Sequence, residues 1–488
     1  MKINVERCEL APGFSISRVL TGLWQIADME RDGAALDRSA TAATMTPYVD
    51  AGLTTFDMAD HYGSAEEITG EYRKRLKNPD DVQLLTKWVP EPGKTTKEIV
   101  RMGVQRALDR MQATSIDLLQ FHAWNYADPN WLDSLFWLQE LKQEGLIKHL
   151  GLTNFDAAHL RIAVHSGIEI ASNQVCFSVV DQRPQQRLTE LCETHNIKLL
   201  AFGTVAGGFL TDRWLGKPEP KMADLATWSQ MKYKRFIDAA GGWAPFQEVL
   251  QTLNNIAKRF NVSLTNIACR YILEQQAVGG IIVGARLGRS EHIDETLRIF
   301  DFKLDDAALT DIRDTLSNLQ QIPGNSGDEY RKPPFLTASG DLSHHLETIP
   351  PPYHAEPAAN GGSRVLSGTP WEKIAGFSRA IGIGDRILVS GTTATHGDLA
   401  IGGNDPAAQC HFVIDKIEGA IQSLGGRLED VVRTRIYIQR MNDWEPISRV
   451  HGERFQHIQP ANTLIQANLI GDEYLVEMEA EAIISNQA

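Results

Sequence analysis

Short apolar runs alternate with helical patterns along residues 18–300. The strand candidates include TTFDMA, VQLLTKW, IDLLQFH, IKHLGLT, KLLAFGT and VGGIIVGA. Between them lie amphipathic segments such as EIVRMGVQRALDRM and NWLDSLFWLQELKQEG, whose apolar residues recur with the period of a helix. Strands that alternate with helices of this length predict a parallel sheet, and near-continuous apolar strands suit a sheet buried on both faces. The pattern therefore predicts an α/β domain.

The pattern changes after about residue 320. The stretch QIPGNSGDEYRKPPFLTASGDLSHHLETIPPPYHAEPAANGGS is rich in Pro, Gly and Ser, which is typical of a tail and linker. From about residue 370, strand and helix patterns follow in the order ββαβαββ, beginning with a strand pair that turns at Gly384-Asp385. This order predicts a second, smaller α+β domain. We therefore predict a barrel-sized domain over residues 1–320, a linker over 321–366 and a small domain over 367–488.

Composition narrows the class of protein. The 488 residues have a net charge of −14, which argues against nucleic acid or an anionic membrane as the main partner. The first residues show no apolar core of a signal peptide, and no run of about 18 apolar residues could span a membrane. The five cysteines lack CxxC spacing, so we expect free thiols in a reducing cytoplasm. His344 and His345 give only a slight indication of a metal, and no metal site is predicted.

Groups that handle protons stand at the ends of three successive apolar runs. Asp57 and Tyr62 follow the first, Lys87 lies in the second and His122 ends the third. A tyrosine phenol, with an ordinary pKa of about 10, is a poor acid near neutral pH, and an adjacent ammonium lowers that pKa. Lys87 can act in this way while Asp57 keeps it charged, and His122 can orient a substrate oxygen. Taken singly, each residue also has a structural interpretation as a cap, surface or core residue.

These four residues, together with GLTNF (151–155), SNQ (172–174) and IIVGAR (281–286), resemble the aldo-keto reductase family over roughly residues 10–320. The resemblance implies a (β/α)8 TIM barrel, in which the strand ends share one rim and a tetrad of Asp57, Tyr62, Lys87 and His122 would converge. It also implies a nicotinamide cofactor bound without a Rossmann fold. The implied cofactor-binding residues are Gly22, Trp24, Thr153, Asn154, Gln174, Phe202, Gly203, Gly284, Arg286, Arg289, Glu295 and Thr296.

The resemblance assigns roles within this set. Asn154 and Gln174 would hold the carboxamide, and Phe202 would stack on the nicotinamide. Arg286 and Arg289 could grip an adenosine 2′-phosphate, or they could be solvated charges at a helix start. NADP(H) is preferred, with NAD(H) left open because the lysine of many NADPH-specific members is absent. The expected substrate pocket is aromatic, although these tryptophans could equally be core or rim packing: Trp24, Trp88 and Trp124.

The second domain has a resemblance of its own. RILVSGTTA, LEDVVRTRIYI, HGERFQHIQPANT and LVEMEAEAI are similar to the RidA/YjgF imine deaminase family over about residues 370–485. Competent members carry an arginine in a P-A-R-[ST] motif, whereas this chain has Asn462, which cannot form a charged bidentate pair with a carboxylate. Asn462 and Glu479 are the candidate site residues of this domain. Assembly or ligand binding is favoured over deamination, and a homo-oligomer, a trimer through this domain, is expected.

These patterns lead to one expected function. It is an NADP(H)-dependent oxidoreductase that interconverts a carbonyl (aldehyde, ketone or aldose) and an alcohol, with Tyr62 as general acid or base. Two alternatives stay open: a non-catalytic subunit that senses the cofactor, and a bifunctional enzyme with imine deaminase activity in the second domain. The sequence names neither the substrate nor the direction of the reaction.

Overall fold

The computed structural model describes residues 4–185, 187–332, 342–359 and 361–484. A two-stranded hairpin, β1 Arg7–Ala11 and β2 Phe14–Ser17, precedes eight parallel strands that close into a barrel in chain order. The expected (β/α)8 barrel is therefore confirmed. Its strands are β3 Val19–Gly22, β4 Thr55–Asp57, β5 Gln83–Trp88, β6 Ile116–Phe121, β7 Ile147–Thr153, β8 Ser172–Cys176, β9 Lys198–Phe202 and β10 Val278–Gly284.

Helices surround the barrel between successive strands and bury an apolar face against it. In the described part of the chain, each helix is too short or too polar to cross a membrane. The helices of this domain are α1 Gln25–Met29, α2 Arg38–Ala43, α3 Thr46–Asp50, α4 Ala65–Arg73, α5 Lys97–Met111, α6 Asn130–Gln143, α7 Ala157–His165, α8 Arg187–Thr194, α9 Trp228–Ala239, α10 Trp243–Phe260, α11 Leu264–Leu273, α12 Ile293–Leu297, α13 Asp306–Leu316 and α14 Asp328–Arg331.

The N-terminal hairpin closes one end of the barrel. Its Leu10, Phe14 and Ile16 are buried in one cluster with leucines of the barrel strands: Leu20, Leu85, Leu118 and Leu200. Burial of large apolar side chains is the main favourable term in packing of this kind. The hairpin therefore covers the N-terminal end, and the opposite rim, where the strands end, is left for a site.

The C-terminal domain is an α+β sandwich. One seven-stranded sheet has the order β11-β12-β13-β14-β19-β17-β18, in which only β17 and β18 pair in parallel. From β13 the elements follow the predicted ββαβαββ order, with a small hairpin, β15 and β16, added. The elements are β11 Ala355–Pro357, β12 Ser363–Val365, α15 Pro370–Ala375, β13 Ala380–Ile383, β14 Arg386–Thr393, β15 Thr395–His396, β16 Leu399–Ala400, α16 Pro406–Ser423, β17 Val431–Ile438, α17 Trp444–Phe455, β18 Ala461–Gln466 and β19 Val476–Ile483.

The predicted linker is more structured than its composition indicates. Strands β11 and β12 lie within residues 321–366, and β12 pairs with β13, so the sheet of the second domain begins at Ala355 rather than after residue 366. Short strands of this kind carry no hydrophobic alternation of their own because they add to the edge of an existing sheet. The segment predicted as linker therefore contributes two edge strands to the sheet of the second domain.

The two domains pack against each other through α7 and α16. Arg161 on α7 makes a two-pronged ion pair with Asp405, the N-cap of α16, at 2.8 and 2.7 Å. His396 Nε2 lies 2.8 Å from a carboxylate oxygen of Asp133 on α6. Almost every residue of α16 is buried, because one side of the helix faces its own sheet and the other faces the barrel.

Candidate active site

A buried ion pair lies at the C-terminal rim of the barrel. Asp57 ends β4 and Lys87 is the fifth residue of β5, and the Lys87 ammonium donates to Asp57 Oδ2 at 2.7 Å and to the Met58 carbonyl at 2.9 Å. The same ammonium lies 4.9 Å from the centre of the half-buried Tyr62 ring. Burial lowers the pKa of Lys87, and the adjacent Asp57 carboxylate opposes that shift. The structure thus brings three members of the predicted tetrad together.

A glutamine that sequence reasoning missed completes the polar core of the rim. The other oxygen of Asp57 accepts hydrogen bonds from the amides of Gln174, at 2.7 Å, and Gln120, at 3.3 Å. The Gln174 amide nitrogen also donates to Gln120 Oε1 at 2.9 Å. Both of its N–H groups are then engaged, which leaves the amide oxygen of Gln174 for a ligand. Gln120 carried a signal, because it is a polar residue in the middle of an apolar run.

The fourth member, His122, follows β6 directly and carries no charge near neutral pH. Burial and the repulsion of the Arg331 guanidinium hold its pKa well below the usual range. Within the described residues, His122 Nε2 and Asn154 Oδ1 are buried without a hydrogen-bond partner. Buried polar atoms are nearly always paired, so two orphans at one rim indicate a place for the polar groups of a ligand.

The predicted residues line one cavity of about 490 Å³. Carbonyl-site and cofactor-site candidates share this space, as expected for groups that must meet in one reaction. Those on its wall are the tetrad, Gly22, Trp24, Trp124, Thr153, Asn154, Gln174, Phe202, Gly203, Gly284 and Arg286. Arg289, Glu295 and Thr296 lie beyond this wall, on the segment that follows β10.

Trp88 is not part of the pocket, and its prediction as a pocket residue was wrong. Side chains alternate between the two faces of a strand, so the inward position of Lys87 turns Trp88 outward. There Trp88 packs 5.6 Å from the Phe121 ring, between ring centres, and against Gly103 of α5, where an added Cβ would lie 2.6 Å from its indole nitrogen. Trp88 is therefore a core residue between barrel and helix layer.

Two residues that sequence reasoning did not select also line the cavity. Lys232 of α9 is buried, its ammonium lies 5.2 Å from the centre of the Phe202 ring, and it is hydrogen-bonded to the Tyr330 hydroxyl. The Tyr330 ring lies 5.7 Å from that of His122. Tyr330 belongs to the segment predicted as linker, so part of that segment folds back onto the active-site rim.

The two candidate residues of the C-terminal domain do not form one site within the chain. Asn462 on β18 is in register with Thr434 and donates to its hydroxyl at 2.9 Å. Glu479 on β19 is in register with the next residue, Arg435, and accepts from it at 3.0 Å. Successive residues of a strand point to opposite faces. Asn462 and Glu479 therefore lie on opposite faces of the sheet, which corrects their grouping as a single site.

Comparison with known proteins gives two family matches. The model of the aldo/keto reductase family matches residues 18–316, and a model described as endoribonuclease L-PSP matches residues 369–484. An uncharacterized protein of Streptomyces coelicolor, SCO2049, is 39% identical over 120 residues, which are 24% of this chain and 90% of that protein. The NADH-specific methylglyoxal reductase of Escherichia coli is 24% identical over 330 residues, 63% of this chain and 97% of that enzyme.

A solved structure agrees with the barrel. The glycerol dehydrogenase AKR11B4 from Gluconobacter oxydans superposes with a TM-score of 0.52 at 22% identity, covering 66% of this chain and 98% of that one. At this identity the likeness speaks for the fold alone. The family match over residues 18–316 covers every predicted residue on the wall of the cavity.

Proposed function

This chain belongs to the aldo/keto reductase family, and on that premise we propose that its barrel transfers a hydride between NADP(H) and a carbonyl or alcohol, with Tyr62 moving the proton. Members of the family are oxidoreductases, so the chain is an enzyme of that class. The observation that carries the proposal is the Lys87–Asp57 pair, buried beside the Tyr62 ring at the wall of the cavity.

Each member of the tetrad has a role that its surroundings support. In the reduction, the Tyr62 hydroxyl gives its proton to the carbonyl oxygen, and the Lys87 ammonium stabilises the phenolate left behind. Asp57 offsets part of the cost of burying that ammonium. The neutral His122 ring, with Nε2 buried and unpartnered in the described structure, orients the substrate oxygen. Oxidation runs through the same groups in reverse.

The residues at the rim fit a nicotinamide. When bound, the cofactor supplies or accepts the hydride at the carbon that carries the oxygen. Asn154 Oδ1 and the Gln174 amide oxygen can accept from the N–H groups of its carboxamide, and Phe202 offers a ring face. Ring stacking of this kind contributes roughly 0.5–1.5 kcal/mol.

The preference for NADP(H) over NAD(H) rests on Arg286. Its side chain lines the cavity, and its Nε is buried with no hydrogen-bond partner among the described residues. A guanidinium with a free donor suits the 2′-phosphate that distinguishes NADP(H). NAD(H) is the second candidate, which one relative, the NADH-specific reductase, favours.

To test this function, NADPH absorbance is measured with a panel of aldehydes, ketones and aldoses. The reverse reaction is measured with NADP⁺ and a panel of sugars and alcohols. Wild-type turnover should fall at least about a hundredfold in Tyr62→Phe, because proton transfer by a positioned group contributes typically 10²–10⁴-fold. Unchanged turnover in Tyr62→Phe would remove Tyr62 from the mechanism. Tight cofactor binding without turnover in either direction would favour a sensing subunit instead.

We propose assembly as the role of the C-terminal domain. Helices α16 and α17 cover one face of its sheet, while the other face exposes Leu388 and carries Arg435, Glu479 and Glu481. This open face supports assembly between copies of the chain through their C-terminal domains. The resemblance of the domain to the RidA/YjgF family implies that the assembly is a trimer. Light scattering at micromolar concentration should give about three times 54.2 kDa. A monomeric mass would contradict the proposal.

A further inference from the structure

A buried histidine at the domain interface is held between two carboxylates. His159 of α7 places Nδ1 2.6 Å from Asp156 Oδ1 and Nε2 3.0 Å from Asp415 Oδ2 of α16. Ionised carboxylates only accept hydrogen bonds, so both ring nitrogens must carry a proton. The two carboxylates raise the pKa of His159 against the effect of burial. His159 is therefore an imidazolium shared by the two domains.

This imidazolium belongs to a stack of three groups. The His159 ring lies parallel to the Tyr126 ring, with 3.4 Å between centres and 7° between planes. The Arg331 guanidinium lies 4.2 Å from the centre of the same Tyr126 ring. The His159 ring and the Arg331 guanidinium are each too close to the Tyr126 ring to lie on the same side of it. The phenol ring is therefore sandwiched between two cations, and each cation is attracted by the negative face of the ring.

The stack ends on the active-site rim. Arg331 donates from Nε to the Ala123 carbonyl at 2.8 Å and from Nη1 to the Asn154 carbonyl at 2.9 Å. Ala123 follows His122, and Asn154 is the residue proposed to hold the carboxamide. Asn154 has a φ of +63°, in the left-handed region, where asparagine is enriched among residues other than glycine.

Other charged groups complete the interface around the stack. Arg454 of α17 donates to Asp415 Oδ1 at 2.6 Å and to Glu418 at 2.8 Å. His411, one turn before Asp415 on α16, is kept neutral because burial and the nearby cations lower its pKa to about 3. Asp415 is thus fixed from its own domain and offers its second oxygen to the barrel.

We infer that the C-terminal domain positions the active site of the barrel, through Asp415, His159, Tyr126 and Arg331. Asp415 and His159 are positioning residues, since they act on Asn154 and His122 through the stack and touch no reacting atom. The inference rests on the proposed function only in that cofactor binding is one of its readouts. The C-terminal domain would then affect catalysis in the barrel without having an active site of its own.

The test compares two matched substitutions on the same interface. Asp415→Asn keeps the shape of the side chain and removes the charge that holds His159. Asp405→Asn does the same to the ion pair with Arg161, whose side-chain hydrogen bonds among the described residues involve no member of the stack. Asn is also an accepted N-cap, so α16 keeps its start. Both variants weaken docking of the domains, and only the first disturbs the stack.

Asp415→Asn is expected to raise the Kd for NADPH about tenfold, with the KM for cofactor rising more than kcat falls, while Asp405→Asn stays within about twofold. Amide exchange of the segment 150–156, measured without cofactor, should quicken in Asp415→Asn alone, because the Asn154 N–H bond to Gln174 is loosened. Equal effects of the two substitutions, or no effect of either, overturn the inference.

A second pair of variants decides the matter if Asp415→Asn does not fold. Tyr126→Phe keeps the ring that both cations contact, whereas Tyr126→Leu removes it, so their Kd values for NADPH should differ at least about fivefold. Equal Kd values would overturn the inference. If the wild type binds neither NADPH nor NADH, the proposed function fails, and the exchange comparison alone decides whether the C-terminal domain holds the rim.

Discussion

Gly327 touches the active-site rim from the tail of the barrel, and its replacement by alanine gives a sharp test of the rim geometry. Gly327 has a φ of +84° and is the N-cap residue of α14. A Cβ at this position would lie 2.0 Å from the Asn154 carbonyl oxygen and 2.6 Å from Arg331 Nη1. One added methyl group therefore presses on the backbone of Asn154 and on the arginine that holds it.

The size of the effect follows from these distances. To reach an ordinary contact of 3.4 Å from 2.0 Å, the two atoms must separate by roughly 1.4 Å. A displacement of about 1 Å in a positioned catalytic group costs on the order of a hundredfold in rate, or about 2.7 kcal/mol. Left-handed backbone adds roughly 1–2 kcal/mol of strain for alanine, which lowers stability without affecting the rim.

Gly361 separates the two contributions. It has the same φ of +84°, and an added Cβ would meet no atom of the described residues within 4 Å. We expect Gly361→Ala to lose stability by the strain alone and to keep kcat/KM within about twofold of wild type, while Gly327→Ala loses about a hundredfold. Steady-state kinetics and urea unfolding of both variants measure this. A kcat/KM for Gly327→Ala within threefold of that for Gly361→Ala would refute the reasoning.

Three further predictions concern charges. Arg286→Ala should raise the Kd for NADPH about tenfold or more and that for NADH less than twofold, and equal losses for the two cofactors in titrations would argue against a contact with the 2′-phosphate. Asp57→Asn leaves the Lys87 ammonium buried and unpaired, so urea unfolding should show a loss of roughly 3–5 kcal/mol with a large fall in kcat; an unaltered protein would contradict the role of the pair. The raised pKa of His159 stabilises the fold fully below the ordinary value of about 6.5, and this contribution is lost as pH rises through the raised value. The difference in Tm between wild type and His159→Gln should therefore shrink from pH 6 to 9. Taking this difference removes the contribution of other titrating groups, such as Lys416, whose pKa burial lowers to about 7, because both proteins contain them.

The position of the residues at the barrel rim could be predicted from a single rule of barrel architecture. Strand ends of a parallel barrel share an edge, so Asp57, Lys87 and His122 could be located from apolar runs alone. Side chains alternate along a strand, so the inward position of Lys87 places Trp88 on the outside of the barrel, and this too could have been predicted from the sequence. Tyr330 could not be found in this way. It lies in a segment without periodicity, and contacts with the side chains of Lys232 and His122 determine its place.

The domain interface includes charged residues of α16 that the amphipathic pattern of this helix would place at the surface. Helix α16 follows an amphipathic pattern, so its polar face is expected to meet water. In the structure α7 covers that face and Asp415 is buried there, while Lys416 is buried within its own domain and donates to the Thr395 carbonyl. Charged residues are rarely buried unless they are paired. Asp415 finds its partners in Arg454 of its own domain and in His159, 256 residues earlier in the chain. A charged helix face can therefore be an interior surface when the chain carries a second domain. The residues that show this are buried charges whose partners come from both sides, and only the folded molecule identifies those partners.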